Sequence, residues 1–248
     1  MLQPPGRSEH ADRGVAAKGP RINWLLPAIL STTAGAVDVI GFLVFGGLFT
    51  AHITGNLVVI AAHYVTGRFG QVGPILAVPV FIGVLGVVVL LFEGIDGKSR
   101  SRRALLVLHA ALLASCLGFG LGFGPFGNSD SPVAVLAGMF AVAAMATQNA
   151  LVKLALVESP STAVMTTNTT QLIVDLVALA RRAEEPNKLR IRQRARVTFL
   201  WVAGFVGGCV AGSVLELRFG LGALALPVIL ATLAIPLGEQ KGRTYEQF

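Results

Sequence analysis

Long apolar runs recur along this chain with only short polar breaks between them, and that spacing excludes almost every soluble fold. A bilayer core of about 30 Å takes about 20 residues of helix to cross. Residues 24–47, 72–92, 104–124, 132–157, 197–217 and 221–237 each meet that requirement. Their glycine and alanine content suits helices that pack closely in lipid, where small residues let backbones approach. With 54% of its 248 residues hydrophobic and 13% charged, the chain falls in the membrane class.

Two further stretches are ambiguous. Residues 48–66 are long enough to cross but hold His52, Thr54, Asn56 and His63; residues 161–180 open with a Ser/Thr/Asn run and carry Asp175. Lys and Arg collect on the cytoplasmic side of short loops. If neither stretch crosses, the N-terminal tail, residues 98–103, residues 181–196 and the C-terminal tail all lie inside, with Arg68 and Arg218 outside. If both cross, the basic cluster at 98–103 is stranded outside. Charge thus favours six spans, with both termini cytoplasmic. The formal charge of +7 sits in short runs without interleaved aromatics, so it reads as topogenic charge facing anionic lipid and not as a nucleic-acid surface. Residues 181–196 read as a helix or loop lying on that lipid. Cys116 and Cys209 lie in apolar stretches with no metal-ligand spacing, so no disulfide, metal or other cofactor is expected.

The ambiguous stretches resemble each other. Thr54, Gly55 and Asn56 precede an apolar run, as do Thr166, Thr167 and Asn168. Each group follows a long span with a polar interior, Asp38 in the first and Gln148 with Asn149 in the second, and each is followed by two more spans. The expected architecture is an all-α integral membrane fold of six transmembrane helices plus two interrupted or re-entrant segments. Residues 24–124 and 132–237 form its two three-span repeats. They are joined by an external loop at 125–131 and flanked by a disordered tail at 1–23 and a cytoplasmic tail at 238–248. Three is odd, so the second repeat enters from the opposite side and the repeats are inverted. Secondary transporters built this way bind solute where interrupted helices meet near the midplane.

Asp38, fourteen residues into its span, is costly at membrane depth unless paired or protonated. Its readings are a structural pair with a neighbouring Thr or amide, or a coupling or substrate contact. Gly55 permits a turn before a half-helix, and Thr54 or Asn56 is placed to cap it, leaving a positive end for a carboxylate. The same residues equally suit a backbone that merely satisfies itself in lipid. The candidate substrate-binding set is Asp38, His52, Thr54, Gly55, Asn56, Gln148, Asn149, Thr166, Thr167 and Asn168. Lys153 and Glu158 read as interfacial anchors, His63 as interfacial, His109 as a core residue, and Asp175 and Glu216 as reaching headgroups.

Gly35-Ala-Val-Asp38 with Gly41-Phe42, Phe49-Thr-Ala-His52-Ile-Thr54-Gly55-Asn56, Gln148-Asn149-Ala150 and residues 162–168 together resemble the YoaK-like family of bacterial inner-membrane proteins. The resemblance runs from about residue 23 to 237. The second half departs from it, with Thr167 where Thr-Gly-Asn has glycine. The resemblance implies about six spans, a bacterial inner-membrane location and a domain of unknown function; it brings no substrate. Three functions stay open: a transporter or facilitator of a small polar or anionic solute, a non-transporting scaffold or accessory subunit, and an intramembrane enzyme. The last is disfavoured because no nucleophile or metal constellation accompanies Asp38 and His52. The expected partners are the bilayer and a small solute, and the size is compatible with a homodimer.

Overall fold

The structure, a computed structural model, describes residues 25–67, 71–92, 98–155, 165–181 and 187–239. The two tails, Arg68, Glu158 and residues 162–164 lie outside these. All regular structure among the described residues is helical: α1 (Leu25–Val44), α2 (Ile53–Thr66), α3 (Val72–Phe92), α4 (Lys98–Phe123), α5 (Pro132–Ala155), α6 (Met165–Ala180), α7 (Asn187–Phe219) and α8 (Ala225–Glu239). A short 3-10 helix, Gly220–Leu224, joins the last two.

Among the described residues, five stretches are long and apolar enough to cross a membrane: Leu25–Val44, Val72–Phe92, Arg100–Phe123, Pro132–Leu154 and Asn187–Gly238. The fifth comprises α7, the 3-10 helix and α8 together. The two ambiguous sequence stretches become the short helices α2 and α6. α7 begins ten residues before the expected span at 197, so the basic residues 188–196 continue its axis instead of lying apart from it.

Burial separates the helices into two kinds. In α1 and α5, 61% and 72% of the apolar window is buried, against 11% in α3. α1 and α5 are therefore the central helices, and α3 is a peripheral one whose uniformly apolar surface suits contact with lipid. One core cluster fills the centre around Val37, Ile40, Leu48, Leu113 and Met145, and a second gathers Leu26, Leu30, Leu105, Leu106 and Leu151.

Contacts fix the helix directions. Gly204, Gly208 and Gly212, one helical turn apart, face Ala28, Thr32 and Ala36 in the same order, so α7 runs parallel to α1. A Cβ on Gly208 would collide with the Thr32 carbonyl oxygen, and one on Gly35 with that of Phe205. Only glycine permits this approach, which Ser31 Oγ tightens by donating to the Trp201 carbonyl at 2.7 Å. α5 is antiparallel to α1: Gln148 meets Leu30, whereas Gly138 meets Phe45 and Leu48 just beyond the α1 C-terminus. α8 runs back along α4, with Leu221 against Gly120 and Gly238 against Leu106.

Both flanks of α2 lie at the same end of the bundle. Gly46, at the end of α1, approaches Ser129 and Gln71, and the first amide of α3, Val72 N, donates to Asp130 Oδ1 at 2.8 Å. Ser129 and Asp130 belong to the α4–α5 connection, so that end gathers the C-termini of α1 and α4 and the N-termini of α3 and α5.

Candidate functional site

α1 stops where Gly46 and Gly47 take positive φ angles of 66° and 81°, a conformation that glycine adopts without Cβ strain. The chain then turns back into the bundle. Leu48 and Thr50 have no exposed surface, and Ala51 is 5% exposed. Asp38 receives this returning segment. Its Oδ1 accepts from Thr50 N at 2.7 Å, Ala51 N at 2.7 Å and Thr50 Oγ1 at 3.1 Å, while its Oδ2 lies 2.5 Å from His52 Nδ1. Asp38 stands six residues before the end of α1, roughly 9 Å along the axis at about 1.5 Å per residue. Residues 50–52 have therefore dropped about that far from the helix end, and α2 starts at the depth of Asp38.

Asn56 fixes the other side of the turn. Its Nδ2 donates to Phe49 O at 2.7 Å and its Oδ1 accepts from Phe49 N at 2.9 Å, so one side-chain amide satisfies both polar groups of a backbone residue that lipid cannot serve. Gly55 lies against the Phe49 ring, where a Cβ would come within 2.8 Å of Cδ2. α2 has no side-chain cap, so neither Thr54 nor Asn56 performs the expected capping; Asn56 is committed to Phe49, and Thr54 is exposed. The carboxylate that meets the amides leading into α2 is the chain's own Asp38.

Beside this turn lies an open cleft of about 410 Å³, lined by Asp38, Val39, Phe42, Phe49, His52, Phe205 and Cys209. The His52 ring packs edge-on to Phe205, 5.3 Å between centroids. Its side chain is 32% exposed, against 6% for Asp38. Nδ1 is held on Asp38, so Nε2 on the far side of the ring is the polar atom His52 has for a ligand. A histidine nitrogen donates or accepts according to the ring's protonation.

The second-half candidates lie elsewhere. Gln148 Nε2 donates to Leu30 O at 3.1 Å, two turns of α1 away from Asp38, and Asn149 Nδ2 donates to Met145 O of its own helix. Asn168 is 3% exposed, whereas Thr166 and Thr167 are exposed. Thus Asp38, His52, Gly55 and Asn56 are brought together with one another, and the second-half residues with none of them.

Two functional features escape the sequence reading. Thr50 completes the Asp38 shell, and nothing in its type or spacing marks it out among the chain's threonines. The second is the partner of Asp175, whose carboxylate is 1% exposed. It accepts from Arg194 Nε at 2.9 Å and Nη2 at 2.5 Å and from Gln171 Nε2 at 2.8 Å, fastening α6 to α7. The available hint was a lone carboxylate late in one helix facing a basic run at the start of the next. His109, expected to pack in the core, has no exposed surface, and its Nδ1 lies 2.9 Å from Ala144 O. The described residues hold no group of three or more potential metal ligands.

A family model described as "Protein of unknown function (DUF1275)" matches residues 26–237, the stretch that contains every described helix but the ends of the first and last. No curated protein and no solved structure matches the chain.

Proposed function

Because this chain belongs to the DUF1275 family, which carries no assigned activity, we propose its function from packing and site: a small secondary transporter or facilitator for an organic anion. The observation that carries this reading is the exchange pattern of helix contacts. α1 packs on α7 and α8, and α5 packs on α3 and α4; α2 packs on α3, and α6 on α7. Replacing each helix by the one four places along the series maps the first set of contacts onto the second. α1 and α5, which exchange with each other, are the two central helices and run antiparallel. Those relations support two inverted units, each of three passages and one short helix that returns to the side it left. α7 and α8 then count as separate passages, giving six. The YoaK-like motifs add a bacterial inner membrane to the proposal, and the basic clusters add cytoplasmic termini.

Inverted units with interrupted segments are how transporters present one site alternately to two sides. The Asp38–His52 pair suits that role better than catalysis, because among the described residues the hydroxyl hydrogen-bonded to it, Thr50 Oγ1, is spent on Asp38 itself, and the Cys209 thiol in the cleft donates to Gly35 O. The test is flux of organic anions into proteoliposomes under an imposed pH gradient. Uptake that is lost in Asp38→Asn vesicles with intact protein supports a transporter; no flux for any anion, with a phenotype that depends on another membrane protein, would favour the scaffold.

A further inference from the structure

The cleft beside His52 is apolar except at one end, and this narrows the ligand. Val39, Phe42, Phe49 and Phe205 supply its walls, while Asp38 and His52 bring the polar atoms. Asp38 has four donors on its two oxygens and almost no exposed surface, so it is not offered to a cation. His52 Nε2 is the atom available to a polar group, backed by a carboxylate that balances the charge of a doubly protonated ring. We propose that this cleft binds an organic acid with an apolar body: the carboxylate on His52 Nε2 and an aromatic or aliphatic body against Phe42, Phe49 and Phe205. The volume of about 410 Å³ exceeds the roughly 150 Å³ that holds a benzene ring, leaving room for a ring and its carboxylate. A free weak acid and a fatty acid from the bilayer share this chemistry.

A carboxylic acid donating to a singly protonated ring and a carboxylate accepting from a doubly protonated one have the same composition, so the bound site holds one proton more than a carboxylate beside a singly protonated ring. Among the described residues, the titratable groups facing His52 are Asp38 from α1 and the Cys209 thiol from α7. This identification of the ligand class rests on the transport reading only for its purpose, since binding is measured without flux.

The test is thermal stabilisation of the full chain in detergent by phenylacetate, phenylacetamide, phenethylamine, acetate and palmitate. Phenylacetate and palmitate are expected to raise the melting temperature, more strongly toward acid pH, with acetate, phenylacetamide and phenethylamine far weaker. His52→Ala should weaken phenylacetate about tenfold, the worth of one charge-assisted hydrogen bond. If that variant does not fold, Phe42→Ala, which removes an exposed wall and leaves the Asp38–His52 pair intact, should weaken phenylacetate more than it weakens acetate. Palmitate acting at much lower concentration than phenylacetate would assign the bilayer as source, and the reverse a soluble acid. Stabilisation by the amide or the amine equal to that by the acid would overturn the proposal, as would no response of a cooperatively melting protein to either acid. Acids that bind but are not carried in vesicles would refute transport and leave the site standing.

Discussion

Asp38 is the residue on which the turn back into the bundle depends, and its cost of burial is what made it conspicuous in the sequence. A carboxylate inside an apolar helix must find donors, and here they come from a segment twelve to fourteen residues further on. Removing it strands the amides of Thr50 and Ala51 and the ring N–H of His52. A buried donor left without a partner costs about 1–3 kcal/mol. Asp38→Ala should therefore lower stability by at least about 3 kcal/mol, read as a fall in melting temperature in detergent. Asn56→Ala, which frees both polar groups of Phe49, should cost about 2 kcal/mol by the same reasoning. Both residues hold one loop, so the double variant should lose less than the two single losses added together. One of the two readings open for Asp38 was a structural pair with a neighbouring Thr or amide, and Thr50 with the amides of Thr50 and Ala51 supplies it. Which Thr and which amides was not legible, since backbone donors are the same at every position. Asn56 takes the second of the two roles the sequence left open: it satisfies the Phe49 backbone and does not cap the helix it belongs to.

α1 and α7 depend on glycine spacing in a way that composition alone obscures. Glycine is scattered through all the long helices, but Gly204, Gly208 and Gly212 face α1, whereas Gly207 faces open space. Gly208→Leu should destabilise the fold by about 1–3 kcal/mol or prevent assembly. Gly207→Ala should leave the melting temperature within the range of a surface change, about 0.5 kcal/mol. α6 is held differently, by Asp175 on Arg194. Arg194→Gln should raise amide exchange in α6 while leaving α1 and α5 protected, because the ion pair fastens that helix alone to α7. The six apolar runs fall on helices that make up five stretches long and apolar enough to cross among the described residues, and the two ambiguous stretches on short helices. The start of α7 was not readable: residues 187–196 are too polar to look like part of a span, yet they are helical because the span behind them nucleates the helix and Arg194 gains a partner. The end of the chain was blurred likewise, since residues 220–224 are apolar enough to look like part of the last span but form a 3-10 turn.

At the scale of the whole molecule, the contacts of α1 with α7 and α8 are matched by those of α5 with α3 and α4, and α1 and α5 are antiparallel; we read these relations as two inverted units. On this reading the short helices return to the side from which they start. That arrangement gives each half one interruption in its own leaflet, and it is the premise of the transport proposal. Inversion was suggested in the sequence by the odd number of spans between two similar polar motifs. The contact pattern supports it with features the sequence does not display, because packing partners far apart in sequence leave no local pattern. The most direct measurement is side-specific labelling of single cysteines at Leu25, Thr66, Gly127 and Arg181 in intact and permeabilised cells, with Cys116 and Cys209 replaced by serine. Thr66 and Gly127 should label from one side, and Leu25 and Arg181 from the other. Labelling of Thr66 from the same side as Leu25 would mean that α2 crosses the membrane, and the inverted architecture would be refuted.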